Sequence, residues 1–389
     1  MKKMIGLCVA GLVLAAPLCL AQTVSKPAAP VMTLAKMDAA KQKDWLARWD
    51  KNILGEVKGY RVCETAMGED IAWKMTAVME GLYYGYMATK DTKYVDMMVD
   101  WTDWLVKRAV KEPDGFLGWP GKDGNGTWVD EMDKKYVTDS MLSEAMAFRP
   151  VILMSGEILK TPALKEKYGA KAESYIQFVE QLCQKWVKRG GWRETKDGGL
   201  ISVVLPYGVD PTNTKWVDYD TRNDPGHGAS HPNNKANQVA RWMLAMWDVT
   251  GKPEYKEHAE RWFKVMKSRM HPKADGTFEI WNYNEPAGPW DYKPDGAPKH
   301  GIFIHPNAGY YFLDTWGIVA AYEHGMVFTQ EDITRLIATA KANSRMWTAL
   351  APYDLAIQKH FETTADPQSW GGLSDVSWYL MLQSELPAK

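Results

Sequence analysis

The chain has 389 residues, with 47 Lys and Arg against 48 Asp and Glu and a formal net charge of −1. That balance provides no basic field for nucleic acid, and the four cysteines are not spaced as a metal motif. Its 19 Trp and 18 Tyr against 9 Phe favour rings that are apolar on the face and hydrogen-bonding at the edge. Sugar-binding clefts use such rings, and large helical proteins also bury Trp between helices.

Lys2 and Lys3, the apolar run Ile5 to Leu18 and the end Cys19-Leu20-Ala21 read as an export signal cleaved after Ala21. The run is too short to span a bilayer and no later segment is long enough. A secreted or periplasmic protein without membrane insertion is therefore expected. Residues 22–35, rich in Ala and Pro, read as a tether, and 36–389 as one domain. Cys63 and Cys183 remain after cleavage, either as a disulfide or as two buried thiols.

From there helical periodicity dominates and β-patterns are almost absent. Lys41 to Leu54 reads as an early helix. Trp73 to Ala88 is apolar, with Met75, Val78, Met79, Leu82 and Tyr86 on one face, and Tyr94 to Val110 carries Met97, Met98, Trp101, Trp104 and Leu105 at three- and four-residue steps. Further pairs follow at Tyr136–Leu159 with Ala163–Val187, Asn233–Val249 with Glu254–Met270, and Gly309–His324 with Gln330–Trp347. Leu373 to Leu386 would close against the early helix. Each pair joins a more apolar first helix to a Lys- and Glu-studded second one through a tight turn such as Asp248-Val-Thr-Gly-Lys-Pro-Glu-Tyr255. This weak repeat predicts an all-α fold, an (α/α) toroid of six or seven hairpins with apolar helices inside.

Three long segments, Glu112–Lys135, Gly190–Pro232 and His271–Asn307, each leave an outer helix and enter an inner one. Loops of this length in a compact fold are usually functional, and these are expected at one rim. Asp133, Tyr136 and Asp139, then His231, Asn233 and Asn234, then His305, Asn307, Tyr310 and Tyr311 follow them directly. The asparagines are also ordinary helix caps.

Asn233-Asn234-Lys235 through Arg241-Trp242 to Trp247 resembles the inner helix of alginate lyases. Gly309-Tyr310-Tyr311 with Ala320-Ala321-Tyr322-Glu323 is similar to their catalytic-tyrosine helix. The stretch His305 to Tyr311 looks closest to polysaccharide lyase family 38, whose members act on alginate and glucuronan. The likeness covers roughly residues 226–347. Lys235 stands where the alginate-lyase pattern has its His, so His231 or His305 would supply that role.

The resemblance implies β-elimination on an acidic polysaccharide. Tyr310 would be base and acid, while Asn234, His231, His305 and Arg241 neutralise the uronate carboxylate. Tyr311 would point about 100° away and pack. Asn233, Asn307 and Tyr136 would add substrate contacts. Trp119, Trp128, Trp216, Trp281 and Trp290 are candidates to stack on sugar rings, and Lys215, Arg222, Lys299 and His300 to meet carboxylates. No cofactor is expected: His227 and His231 have metal-like spacing, but Gly226 and Gly228 argue against a helix there.

Two other readings stand beside this one. A glycoside hydrolase on the same toroid needs paired carboxylates, and Asp139, Glu144, Asp220, Glu279 and Glu285 are available. A non-catalytic secreted glycan-binding protein would keep the loop tryptophans.

Overall fold

The computed structural model describes residues 32–112, 114–120, 137–204, 208–209, 216–217 and 228–387. The helices are α1 (Ala39–Gly59), α2 (Asp70–Thr89), α3 (Lys93–Lys107), α4 (Met141–Lys160) and α5 (Pro162–Lys188). They continue with α6 (Asn233–Thr250), α7 (Pro253–Ser268), α8 (Gly309–Glu323), α9 (Gln330–Ala342), α10 (Leu355–Thr364) and α11 (Trp370–Glu385).

Local chemistry sets the tight joints. Lys90 and Gly251 end α2 and α6 in the left-handed conformation (φ 59° and 69°), which releases the chain from the helix. Pro162 and Pro253 then open α5 and α7, where a missing N–H costs nothing. Thr329 and Asp332 cap α9 reciprocally.

Burial sorts the helices into two layers. In α4, sixteen of twenty residues are buried, so it has no solvent face and belongs inside. In α7 only Tyr255, Ala259, Trp262, Phe263 and Met266 are buried, a single stripe at three- and four-residue steps. The inner helices pack in the order α11, α2, α4, α6, α8. Trp316 of α8 meets Trp378 of α11 edge to face at 4.5 Å, closing the ring. A buried 3-10 helix, Thr348–Tyr353, packs against α8 and α10. Among the described residues the (α/α) toroid thus has six outer helices and five inner ones, with that short segment in place of a sixth.

The hairpins expected from the sequence are present, with shifts at the ends. The helix expected from Tyr136 starts at Met141 behind the cap Ser140, because Val137–Thr138 is a strand. Trp347 lies past the end of α9, and α10 was not foreseen. Cys63 and Cys183 are buried and free, which settles their alternatives in favour of two thiols. Among the described residues no helix is long and apolar enough to cross a membrane.

The loops hold small antiparallel sheets: β1 (Val110–Lys111) with β2 (Leu117–Gly118), β4 (Trp192–Glu194) with β5 (Leu200–Ser202), and β3 (Val137–Thr138) with β6 (Gly208–Val209) and β7 (Trp216–Val217). Strands of two or three residues are too short to show an alternating pattern. The β3–β6 pairing joins the first long loop to the second. The second joins the third where Ser230 N and Oγ donate to the Asp291 carboxylate at 2.6 and 2.8 Å. The loops therefore converge at the rim where the inner helices begin.

Candidate active site

On α2 the spacing of Thr76, Glu80 and Tyr84 puts all three on one helix face. Gln238 and Arg241 do the same on α6, and Ser374, Asp375 and Trp378 on α11. These faces meet in a lumen cavity of about 170 Å3, walled on its remaining sides by Met146 of α4 and by Phe312, Leu313 and Trp316 of α8. Trp73 and Trp370 stand at its mouth, 40 % and 39 % exposed. Both lie in the first turn of their helices, so the cavity opens toward the loop rim.

The cavity combines aromatic walls with charge. Glu80 forms an ion pair with Arg149 of α4, and Arg241 Nη2 lies 3.9 Å from the same carboxylate. Arg149 also donates to Tyr84 Oη at 3.3 Å. Arg241 spreads its guanidinium over the Trp316 ring, 5.4 Å from the centroid, and donates to Gln238 Oε1 at 2.9 Å. Burial, followed by the Arg149 charge, brings Arg241 down to about 10. Asp375 is pushed up to about 8 by burial and then by Glu80, against the opposing pull of Arg241. The site thus offers a proton-bearing carboxyl at neutral pH beside an arginine-paired carboxylate, an arrangement suited to acid–base chemistry on a neutral bond. Neither Glu80 nor Asp375 was singled out from the sequence.

The residues that were singled out sit higher, at the rim. Tyr310 meets the His305 ring at 4.3 Å and Tyr283 at 5.0 Å, and Phe303 stacks on Tyr283 and His305. The structure does bring Tyr310 and His305 together, but as part of an aromatic cluster outside the lumen cavity. His231 is buried, its Nδ1 2.9 Å from Ser202 Oγ. Burial and then Lys235 push it down to about 3, so it is neutral and cannot offset a carboxylate. Asn233 is held by Arg269 and donates to Asn282 O at 2.9 Å, a structural tie between loop and helix. Asn234 is fully buried, and neither of its amide atoms hydrogen-bonds to a described residue. Asn307 is exposed just before α8, its Oδ1 accepting from Gly309 N at 2.9 Å. Tyr311 is buried and packed as expected, its hydroxyl accepting from His305 N. Of the described residues singled out for the chemistry, Arg241 alone lines the cavity.

Several other candidates serve the core instead. Trp281 is 2 % exposed and donates to Asp314 Oδ2 at 2.8 Å, and Trp119 is buried against Leu105 O. Neither can stack on a sugar. Trp290 is half-buried and donates to Ser230 Oγ, so its edge is spent within the rim. Tyr136, Trp128, Asp133, Lys215, Asp220, Arg222 and His227 lie outside the described residues, as does the Trp216 side chain. Among the described residues, the carboxylates weighed for hydrolysis also fail to form a pair in a cleft. Asp139 and Glu144 are buried on Lys185, Glu279 is exposed on a loop, and Glu285 accepts from Asn282.

No family model matches the sequence, and no curated protein matches it. Among solved structures, a family 76 glycoside hydrolase from a bovine Bacteroides thetaiotaomicron strain matches at TM-score 0.45 and 10 % identity, over 88 % of this chain and 77 % of that one. An inactive double-aspartate variant of an α-1,6-mannanase from Salegentibacter sp., in complex with α-1,6-mannotetrose, matches at TM-score 0.41 and 10 % identity, over 89 % and 87 %. A family 76 mannosidase from Bacteroides thetaiotaomicron matches at 0.39 and 11 %, over 79 % and 69 %. These are hydrolases, not lyases. The lyase family and the β-elimination mechanism expected from the sequence are corrected accordingly, and so is the enzyme class. The motifs behind that expectation, Asn233 to Trp247 and Gly309 to Glu323, are short stretches of inner helix, in which Asn233, Asn237 and Tyr311 are buried and bonded within the fold. At this identity and TM-score the likeness assigns no substrate.

Proposed function

We propose that this protein is a glycoside hydrolase that cleaves a polysaccharide in the lumen of its toroid. The observation that carries the reading is the shared cavity of Asp375 and Glu80, walled by Trp73, Trp316, Trp370 and Trp378. Hydrolysis of a glycosidic bond needs one carboxyl that delivers a proton to the leaving oxygen and one carboxylate that activates water or attacks the sugar. Asp375, raised to about 8, is the proton donor, and Glu80, positioned by Arg149 and Arg241, is the carboxylate. The flat indoles match the apolar faces of sugar rings. The rim cluster of Tyr283, Phe303, His305 and Tyr310 extends the same aromatic surface outward for the rest of the chain.

An acidic substrate, expected from the sequence, is not part of this reading, because Glu80 already engages both lumen arginines. Export, read from residues 1–21, agrees with a polymeric substrate outside the cytoplasm and remains a proposal. The test is incubation with a panel of neutral and acidic polysaccharides, followed by reducing ends and ultraviolet absorbance. New reducing ends without an absorbing double bond are expected, and Asp375→Asn should lower the rate by about 10²–10⁴-fold. Undiminished turnover in Asp375→Asn, or absorbing products, would overturn the reading.

A further inference from the structure

The inner helices are entered from connections of very different length. Those before α4, α6 and α8 are residues 108–140, 189–232 and 269–308, whereas α2 and α11 are entered from residues 60–69 and 365–369. Connections as short as the last two cannot rise far above the helix ends, so the rim is low beside α2 and α11. Among the described residues two tryptophans are exposed, Trp73 and Trp370, and both stand on this low side while also lining the cavity.

A third exposed ring joins them from outside the cavity. Tyr60, 39 % exposed, meets Trp370 edge to face, with 5.8 Å between centroids and 85° between planes. In such a contact the ring that gives its edge keeps both faces uncovered by its partner. The backbone next to each ring is bare: an added Cβ at Gly59 or Gly371 would meet no described neighbour within 4 Å. The rings are also held in place by helix ends. Tyr60 closes α1 with its N–H on Glu56 O at 2.9 Å, and Trp370 opens α11 behind Ser369, whose Oγ accepts from Gly372 N at 3.0 Å. Asp70 and Lys74, paired at 2.6 Å and both partly exposed, share the first turns of α2 with Trp73. Fixed rings left in water mark a binding surface. With hydrogen-bonding groups beside them they match pyranose rings, whose C–H faces stack while their hydroxyls point sideways.

We propose that Tyr60, Trp370 and Trp73 form an outer stacking subsite for a neutral polysaccharide, which leaves the lumen across the low flank between α1, α2 and α11. The proposal rests on the hydrolase reading for what enters the lumen, and its test measures binding rather than turnover.

Asp375→Asn protein is run through native gels cast with soluble α-mannan, β-mannan, α-glucan or β-glucan, against gels without polymer. Retardation by at least one of the four is expected. In the same background Tyr60→Ala and Trp370→Ala should each lower the affinity for that polymer by about threefold to tenfold, the scale of one aromatic contact. Tyr60→Trp should keep the parent affinity, because it restores a flat ring. Tyr60 is exposed, so its replacement leaves the core intact. Equal retardation of Tyr60→Ala and its parent, or no retardation by any of the four polymers, would overturn the subsite and leave hydrolysis standing. So would self-association, seen by sedimentation, that Tyr60→Ala abolishes while polymer binding persists. Binding that depends on Tyr60 in a protein that releases no reducing ends would keep the subsite and overturn hydrolysis.

Discussion

Gly81 of α2 lies against the carbonyl of Leu373 in α11, so closely that a Cβ at position 81 would come within 2.8 Å of that oxygen. The same oxygen accepts the indole N–H of Trp49 at 2.9 Å, so three helices meet at one backbone atom. Glu80 precedes this glycine directly and Asp375 follows Leu373 by two residues. The close approach therefore fixes the two carboxylates relative to each other.

Gly81→Ala tests that dependence. Alanine gains about 1 kcal/mol of helix propensity, but the clash is with backbone and no rotamer change relieves it. Overpacking typically costs about 1–3 kcal/mol, so a net loss of stability is expected in urea unfolding. Turnover should fall more than the melting temperature alone would suggest, because α2 and α11 are pushed apart beside the site.

The Asp375 carboxyl gives a pH signature. The folded chain holds this proton up to about pH 8, whereas the ordinary value is 3.8. The unfolded chain therefore releases it first as pH rises. Stability from this group is complete below pH 4 and is lost progressively between about 4 and 8. Asp375→Asn should melt above wild type near pH 9 and level with it near pH 4, while activity in the wild type declines above about pH 8. A variant that is less stable at both pH values would contradict the assignment.

Lys185 anchors the rim from below. It is fully buried and paired with Asp139, Glu144 and, at 3.7 Å, Glu112. Arg189 adds a second cation, 3.1 Å from Glu112 and 2.7 Å from Asp114. Burial and the neighbouring Asp139 push Glu112 and Glu144 up, while the two cations hold Asp139 down. Lys185→Met leaves three acids around one remaining cation, and breaking such a pair costs about 3–5 kcal/mol. Chemical denaturation should show the loss, together with earlier proteolysis of the loop before α4.

Tyr310 separates surface recognition from proton transfer. Tyr310→Phe keeps the ring against His305 and Tyr283 and should leave kcat near wild type. Tyr310→Ala removes the ring contact, worth about 0.5–1.5 kcal/mol beyond its buried area, and should raise KM for long substrates more than it lowers kcat. A large fall in kcat for Tyr310→Phe would place the chemistry at the rim.

The layered helices were legible because inner and outer helices differ in composition: α4 has no solvent face, and α7 shows one apolar stripe. The site was only half legible. Arg241 was reached through its place on α6, and the convergence of the loops through their length. Glu80 and Asp375 were missed because a charge in mid-helix ordinarily reads as a solvated face. The available signal was context: after Lys74, Glu80 is the one charged residue before Lys90 in an otherwise apolar or small-residue inner helix. Asp375 likewise stands between Trp370 and Trp378. The tryptophan excess misled in part, since Trp49, Trp101, Trp119, Trp186 and Trp242 are core. Composition cannot say which indoles face a lumen until the helices are arranged in a ring.

The ring is closed by residues far apart in the chain. Met37 N donates to Gln383 Oε1 at 2.8 Å, Ala35 N to Gln358 Oε1 at 2.9 Å, and α1 and α2 lie against α11. During synthesis α2 emerges long before its partner, leaving an apolar flank exposed while nearly three hundred further residues are made. Contacts of such separation form slowly and leave sticky surface on view. The proposed acid pair, Glu80 on α2 and Asp375 on α11, therefore comes together only once nearly the whole chain has been made.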